Sequence, residues 1–533
     1  MSTRTAQTDI KISHLEADGA LIGRSGTTAD SGVSHSERKP LSKRQARRTI
    51  DKDARALAAW PWLGELGKVI DEALPPASTG RPRAFNGASL LLLDALRWRV
   101  KALSHAEGYL ACHWDAIRRH GLEHGVYLNE RPPTWENLRT LRDQENFEML
   151  LEALDGPFID AAIATAEAIG LLPDREGDTI TPVRTAHLQG DGTVVDPMSK
   201  VSVDSNGEVH GSRAKVLGPR IAEQLISTKN HRPLYGYPLT TWTLRGDQTW
   251  QRVVMAVAPH PANDEVVVAE KSLYRILDRT DMVRTIGYDA LLMGAAQQRI
   301  MRRGVLPIAE HGSGDSKVKD PRKVIRLPDE LVQKRGSKAT TEKRKGKGRR
   351  RRSSSGPRQK RYMAVAKLPD AVHDTPNGPC HHQLAAIDTC LVVHDGGTDP
   401  DWWHRTEVPS HHRIERVDNG DGSYSLFGVW RLRCEHMDRA NRYFEHRQEL
   451  SGNIGKAVMA NRLNAYPYVH PQSDGIYGWR NDIESYFQWL KRNMPFFGQA
   501  TSLRYHDFMF DVYGACVLSN AIAYQLHART NGR

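Results

Sequence analysis

Between Lys334 and Arg361 the chain reads KRGSKATTEKRKGKGRRRRSSSGPRQKR, with 14 Lys or Arg against a single acid, Glu342. A block of this kind cannot bury enough apolar surface to offset the entropy of ordering it, so it is expected to be a disordered tether that attracts polyanions. It carries essentially all of the formal net charge of +12, leaving the rest of the chain close to neutral. Whatever folds must therefore be assembled from the segments on either side of it. A second basic stretch, RKPLSKRQARR at 38–48, points the same way as the tether, toward nucleic acid, with Arg349, Arg350, Arg351 and Arg352 as the densest cationic run.

The segments differ in texture. Residues 1–51 are polar and Gly/Ser-rich and read as a flexible basic arm. Over 52–172 apolar residues recur at helical spacing, as in GASLLLLDALRWRVKAL and NFEMLLEALDGPFIDAAIATAEAIGLL, and predict a helical region suited to DNA binding. From about 183 the pattern changes. AHLQGDGTVVD, TTWTLRG, RVVMAVAPH, DEVVVAEKSL, MVRTIGYD and VLPIAEHG read as short strands, while ALLMGAAQQRIMRRG reads as a helix among them. Alternation of this kind predicts a mixed α/β region. Beyond the tether, RYMAVAKL, LAAIDTCLVVHDGG and GSYSLFGVWRLRCE read as strands, and the tail from 477 to 528 returns to helix.

Several classes of protein are disfavoured. No apolar run approaches the about 18–20 residues of a membrane span, and the N-terminus lacks the apolar core of a secretory signal. Five widely scattered cysteines argue against a disulfide framework, so a cytoplasmic protein is expected. GSGDSKVK at 312–319 lacks the spacing and following helix of a phosphate loop, which sets nucleotide hydrolysis aside.

The most informative stretch is GIYGWRNDIESYFQWLKR, residues 475–492. Placed on one helix at about 100° per residue, Tyr477, Arg480, Glu484 and Lys491 fall within about 60° of each other. Ile483, Tyr486, Phe487, Leu490 and Met494 form an apolar stripe to one side, so the polar four border the buried face. Arg480 and Glu484 alone would be an ordinary i,i+4 pair. The full spacing, Tyr-x2-Arg-x3-Glu-x6-Lys, resembles the Y-R-E-K signature of insertion-sequence DNA transposases with a ribonuclease H-like core.

That resemblance implies an α/β fold: a ribonuclease H-like mixed sheet with flanking helices, a helical N-terminal domain and a mainly β insertion before the last catalytic helix. It implies three carboxylates on a strand, after a later strand and on a helix, holding two Mg²⁺ (or Mn²⁺) ions. Hard oxygen ligands suit such ions, and two ions about 3.5–4 Å apart can clamp the attacking and leaving oxygens at a phosphodiester. HLQGDGTVVD offers Asp191 for the first acid, with Asp196 an alternative before Pro197. IGYDALLMG offers Asp289 for the second, although the family's usual Gly-aromatic pair does not follow it and Asp278 or Asp281 are alternatives. Glu484 is the third, with Arg480 and Lys491 binding phosphates and Tyr477 placing the scissile strand. The implied partner is double-stranded DNA, both element ends and target, bound by a homodimer on paired ends.

The implied segmentation divides the core at 173–311 and 471–533, interrupted by the tether at 312–362 and a β insertion at 363–470. Within that insertion Cys380, His381, His382, Cys390, Cys434 and His436, with His411 and His412, gather soft ligands. Their spacing is not that of a zinc finger or ribbon, and the sequence assigns them no metal. Trp402 and Trp403 suit either a small hydrophobic cluster or an exposed base. Two rival functions stay open from sequence: a non-catalytic DNA-binding regulator or decayed transposase, and a metal nuclease without strand transfer.

Overall fold

A computed structural model describes residues 43–531 apart from 75–83, 99–102, 174–176, 196–201, 204–208, 211–222, 227–232, 261–263, 289–291, 310–323, 327–361, 395–405, 467–472, 494–499 and a few single or paired positions. Asp196, Asp289, Arg349 to Arg352, Trp402, Trp403, Met494 and most of the N-terminal arm lie outside the described residues. The chain forms two compact units. The first comprises Met1–Asp174, Arg184–Met282 and Asn481–Arg533, and the second comprises Arg175–Val183 and Val283–Arg480.

The first unit opens with helices α1 (Lys43–Ala58), α2 (Trp62–Ala73), α3 (Gly87–Arg97), α4 (Leu103–Glu123), α5 (Trp135–Arg142) and α6 (Phe147–Ala168). Helix α1 begins inside the stretch read from sequence as a flexible arm, which is a correction. Ile50, Ala54, Leu57 and Ala58 bury one face while Arg47 and Arg48 stay exposed, so burial at helical spacing orders the end of the basic segment. Asn86 caps α3 through its side chain, which accepts from the Ser89 amide at 2.9 Å. Thr134 and Asn137 form a capping box at the start of α5. Gly67 permits α2 and α3 to touch, because a Cβ there would overlap Ala88.

Strand β1 (His187–Val195) pairs antiparallel with β3 (Pro233–Arg245), which pairs antiparallel with β4 (Arg252–Pro259) and also carries β2 (Glu223–Ile226). Helix α7 (Glu265–Leu277) follows β4. This corrects the strand reading of DEVVVAEKSL. Its valines favour a strand locally, yet Ala269, Leu273 and Ile276 recur at helical spacing and are buried, so packing overrides intrinsic propensity. Helices α10 (Asn481–Asn493) and α11 (Tyr505–Asn531) complete the unit. Their apolar residues share one core with α1 to α6 and with Val195, Tyr237, Leu239, Val254 and Val257 of the sheet. Asn520 of α11 accepts from the Val254 amide at 2.8 Å and donates to its carbonyl at 3.0 Å, satisfying the outer edge of β4. Deeper in the helices, Arg97 and Arg142 are paired with Asp94 and Asp511, all almost fully buried, and tie α3, α5 and α11 together.

The second unit contains β5 (Thr285–Tyr288), helix α8 (Ala295–Met301) and β6 (Leu306–Ala309), with β5 and β6 parallel as a β-α-β unit requires. It continues through β7 (Val324–Arg326), β8 (Tyr362–Lys367), β9 (Ala371–Thr375), β10 (Gly378–Ile387) and β11 (Cys390–His394), joined into one antiparallel sheet in which β9 pairs with β10. The segment LAAIDTCLVVHD is thus a hairpin of two strands, β10 and β11, with Thr389 at positive φ in the turn. A separate antiparallel sheet holds β12 (Ser410–Asp418), β13 (Tyr424–Arg433) and β14 (Tyr443–Glu449). Leu384, Leu391, Val393, Ile414, Leu426, Trp430 and Leu432 contribute to this unit's own core. The short helix α9 (Ser473–Gly478) ends the unit. The architecture as a whole is mixed α/β, as the sequence indicates.

Candidate active site

Asp191 lies in β1, opposite Thr241 of β3, half-buried, with its Oδ1 accepting from the Gly192 amide at 2.9 Å. Side chains two apart on a strand share a face, so Asp191 shares one with Gln189. Gln189 donates from Nε2 to Asp482 Oδ2 at 3.4 Å, and Asp482 sits in the first turn of α10. The helix that carries Glu484 is therefore laid on the Asp191 face of β1.

Asp482 is the lock. Its side chain is 11% exposed and accepts from Arg184 at 2.5 Å and from the buried Arg245 of β3. One turn on, Arg252 of β4 donates to Ser485 Oγ, whose hydroxyl in turn donates to the Asp482 carbonyl at 2.7 Å. Burial lowers the pKa of Arg245, and burial followed by the Arg245 charge lowers that of Arg252 to about 9. The acid also sits favourably at the positive end of the helix dipole. Ile483, Tyr486, Phe487 and Leu490 form the buried stripe that Asp482 borders, leaving Glu484 exposed and Lys491 half-exposed on the other side of α10. Lys491 follows Glu484 by seven positions, about two helical turns, so the two share a side of α10.

The four-residue signature does not lie on one helix. Tyr477 belongs to α9, Trp479 and Arg480 form a turn, and α10 starts at Asn481. The angular argument from sequence holds for Glu484 and Lys491 only. Gly478, a poor helix former, ends α9, and the Asp482 contacts fix a new start immediately afterwards. Asp289 directly follows Tyr288, the last residue of β5, and lies outside the described residues. Its alternatives stand elsewhere: Asp278 caps the C-terminus of α7 and Asp281 lies in the bend after it, both exposed and both before β5 begins.

One further acid escaped the sequence reading. The carboxylate of Glu265, in the first turn of α7, lies against Gly192, where a Cβ would overlap it. The glycine beside Asp191 thus admits a second carboxylate close to β1. Reading 264–273 as a strand concealed it, whereas Ala269, Leu273 and Ile276 at helical spacing were the available signal.

The carboxylates shown beside β1, Asp191 and Glu265, are hard oxygen donors, which suit a Mg²⁺ or Mn²⁺ ion better than a soft metal. Among the described residues Asp191 and Glu484 are the sequence-derived acids, and no three carboxylates there meet within ligand distance of one another. No helix among the described residues is long and apolar enough to cross a membrane. No protein-family model, no curated protein and no solved structure matches the chain.

Proposed function

We propose that this chain is a DNA transposase of the ribonuclease H-like class, cutting phosphodiester bonds at the ends of a mobile element and joining the freed 3′ ends to target DNA. The observation that carries the reading is the anchoring of α10 through Asp482 to Gln189, Arg184 and Arg245, which packs the helix that carries Glu484 beside β1, the strand of Asp191. The order of elements supports it: three antiparallel-paired strands β1, β3 and β4, a helix, then a parallel β-α-β, then a β-rich insertion and a returning helix. That order is compatible with a ribonuclease H-like core interrupted before its last catalytic helix.

In this reading Asp191, Asp289 and Glu484 would hold two divalent ions, which supply charge neutralisation and nucleophile activation when bound. Lys491 binds a phosphate from the same side of α10 as Glu484, Arg480 binds another, and Tyr477 helps place the scissile strand. Arg349 to Arg352 add sequence-independent contacts to DNA phosphates. A homodimer on paired ends follows from the need to cut two ends together.

The test uses the full chain, Mg²⁺ and the DNA flanking its coding region, searched for short inverted repeats. Cut 3′ ends joined to a second DNA support the proposal. Cutting without joining would make it a nuclease, and binding without cutting a regulator. If Asp289→Asn still cuts while Asp278→Asn or Asp281→Asn does not, the second acid is misassigned.

A further inference from the structure

The β-rich unit brings together side chains that the linear sequence keeps 54 residues apart. Cys380 and His382 alternate on β10, so both face the same side, and His373 of β9 lies directly opposite Cys380 in register. Cys434 and His436 follow the end of β13, where the Cys434 amide donates to the Arg442 carbonyl at 2.7 Å. The two Cys-x-His pairs converge. Cys380 Sγ lies 3.7 Å from Cys434 Sγ, 3.5 Å from His382 Nε2 and 3.2 Å from His436 Nδ1, while Cys434 Sγ lies 4.0 Å from that same Nδ1. Ligand atoms of His373, Cys380, His382 and Cys434 all fall within 4.8 Å of one another.

These spacings are those of a small tetrahedron. With Zn–S about 2.3 Å and Zn–N about 2.0–2.1 Å, the edges of a tetrahedral site come to about 3.8 Å between two sulfurs and about 3.5 Å between sulfur and nitrogen. The observed 3.7 Å and 3.5 Å edges match with no rearrangement. The site is partly enclosed. His382 and Cys434 are buried, Cys380 is half-buried and His436 exposed, and the half-buried His373 stacks on Phe444 at 3.8 Å between centroids, with a buried Nε2 that has no hydrogen-bond partner. A buried polar atom without a partner calls for an explanation such as a bound ion. Two thiols and imidazoles select a soft or borderline metal over Mg²⁺ or Ca²⁺.

We propose that Cys380, His382 and Cys434, with one further imidazole from His436 or His373, bind a structural zinc ion. It ties the β9–β10 hairpin of one sheet to the end of β13 in the other. The inference concerns this unit alone and does not depend on the function proposed above.

Full-length protein purified without chelator is expected to contain one zinc per chain by elemental analysis. Cobalt replacing it should give a thiolate-to-metal charge-transfer band and the strong visible absorption of a tetrahedral ion. Cys380→Ser and Cys434→Ser should each lower zinc content at least tenfold, and the double variant His373→Ala/His436→Ala should lose the tetrahedral cobalt spectrum. The cobalt spectrum of the unsubstituted protein keeps the test decisive if a variant fails to fold. Zinc-free protein that takes up no cobalt, a weak octahedral spectrum, unchanged zinc in either serine variant, or a Cys380–Cys434 disulfide found by mass spectrometry would each overturn the proposal.

Discussion

Replacing Asp482 with alanine tests how the Glu484 helix is held. The carboxylate is 11% exposed and Arg245 only 8%, so the substitution leaves a guanidinium buried without its counter-charge. Breaking a buried pair in this way costs about 3–5 kcal/mol. Arg184, 26% exposed, recovers part of its loss from water and adds little. Opening of α10 should therefore become easier by about 10²-fold to several thousandfold, since each 1.4 kcal/mol is a factor of ten. Hydrogen exchange on peptides covering 481–493 reads this directly, without following the many tryptophans elsewhere. Pairing Asp482→Leu with Arg245→Met should restore most of the protection, because an apolar pair of similar volume replaces a buried ion pair at little cost. Unchanged exchange in Asp482→Ala would refute the claim that this residue anchors the helix.

Burial lowers the pKa of His187 to about 3, below its unfolded value near 6.5, so the folded state binds fewer protons; stability is complete above pH 6.5 and falls as pH drops toward 3. Between pH 7 and pH 5 His187 should cost about 2 kcal/mol, a slope that His187→Gln removes, as urea titrations at the two pH values would measure. Asp511→Ala leaves Arg97 and Arg142 buried with only Asp94 to share, and should lower stability by about 3–5 kcal/mol in the same titrations. Lys491→Ala, at a half-exposed position, should slow DNA cleavage while shifting the melting temperature little; an unchanged rate would return Lys491 to an ordinary surface role.

Much of the architecture was legible because it rests on local pattern. Helices over 52–172 follow from apolar residues at helical spacing, and β1 follows from HLQGDGTVV bounded by a proline. The errors came where distant contacts decide. The valines of 266–268 favour a strand although Leu273 and Ile276 are buried at helical spacing, and Gly478 alone hints locally that the helix over 475–492 breaks at Trp479. Asp482 looked unremarkable beside Glu484 because its partners, Arg184 and Arg245, are 298 and 237 residues away. The Cys and His residues were visible as types, but their spacing along the chain matches no finger, and only the pairing of β9 with β10 and the end of β13 brings them together.

The central claim is that Asp191 and Glu484 act as carboxylates in metal-dependent DNA cleavage. Cleavage of element-end DNA by the full chain should require Mg²⁺ or Mn²⁺ and vanish in Glu484→Gln and Asp191→Asn, while both variants keep their DNA affinity, since an amide preserves shape and removes only the charge that holds the ion. Undiminished cleavage by either variant would contradict the account.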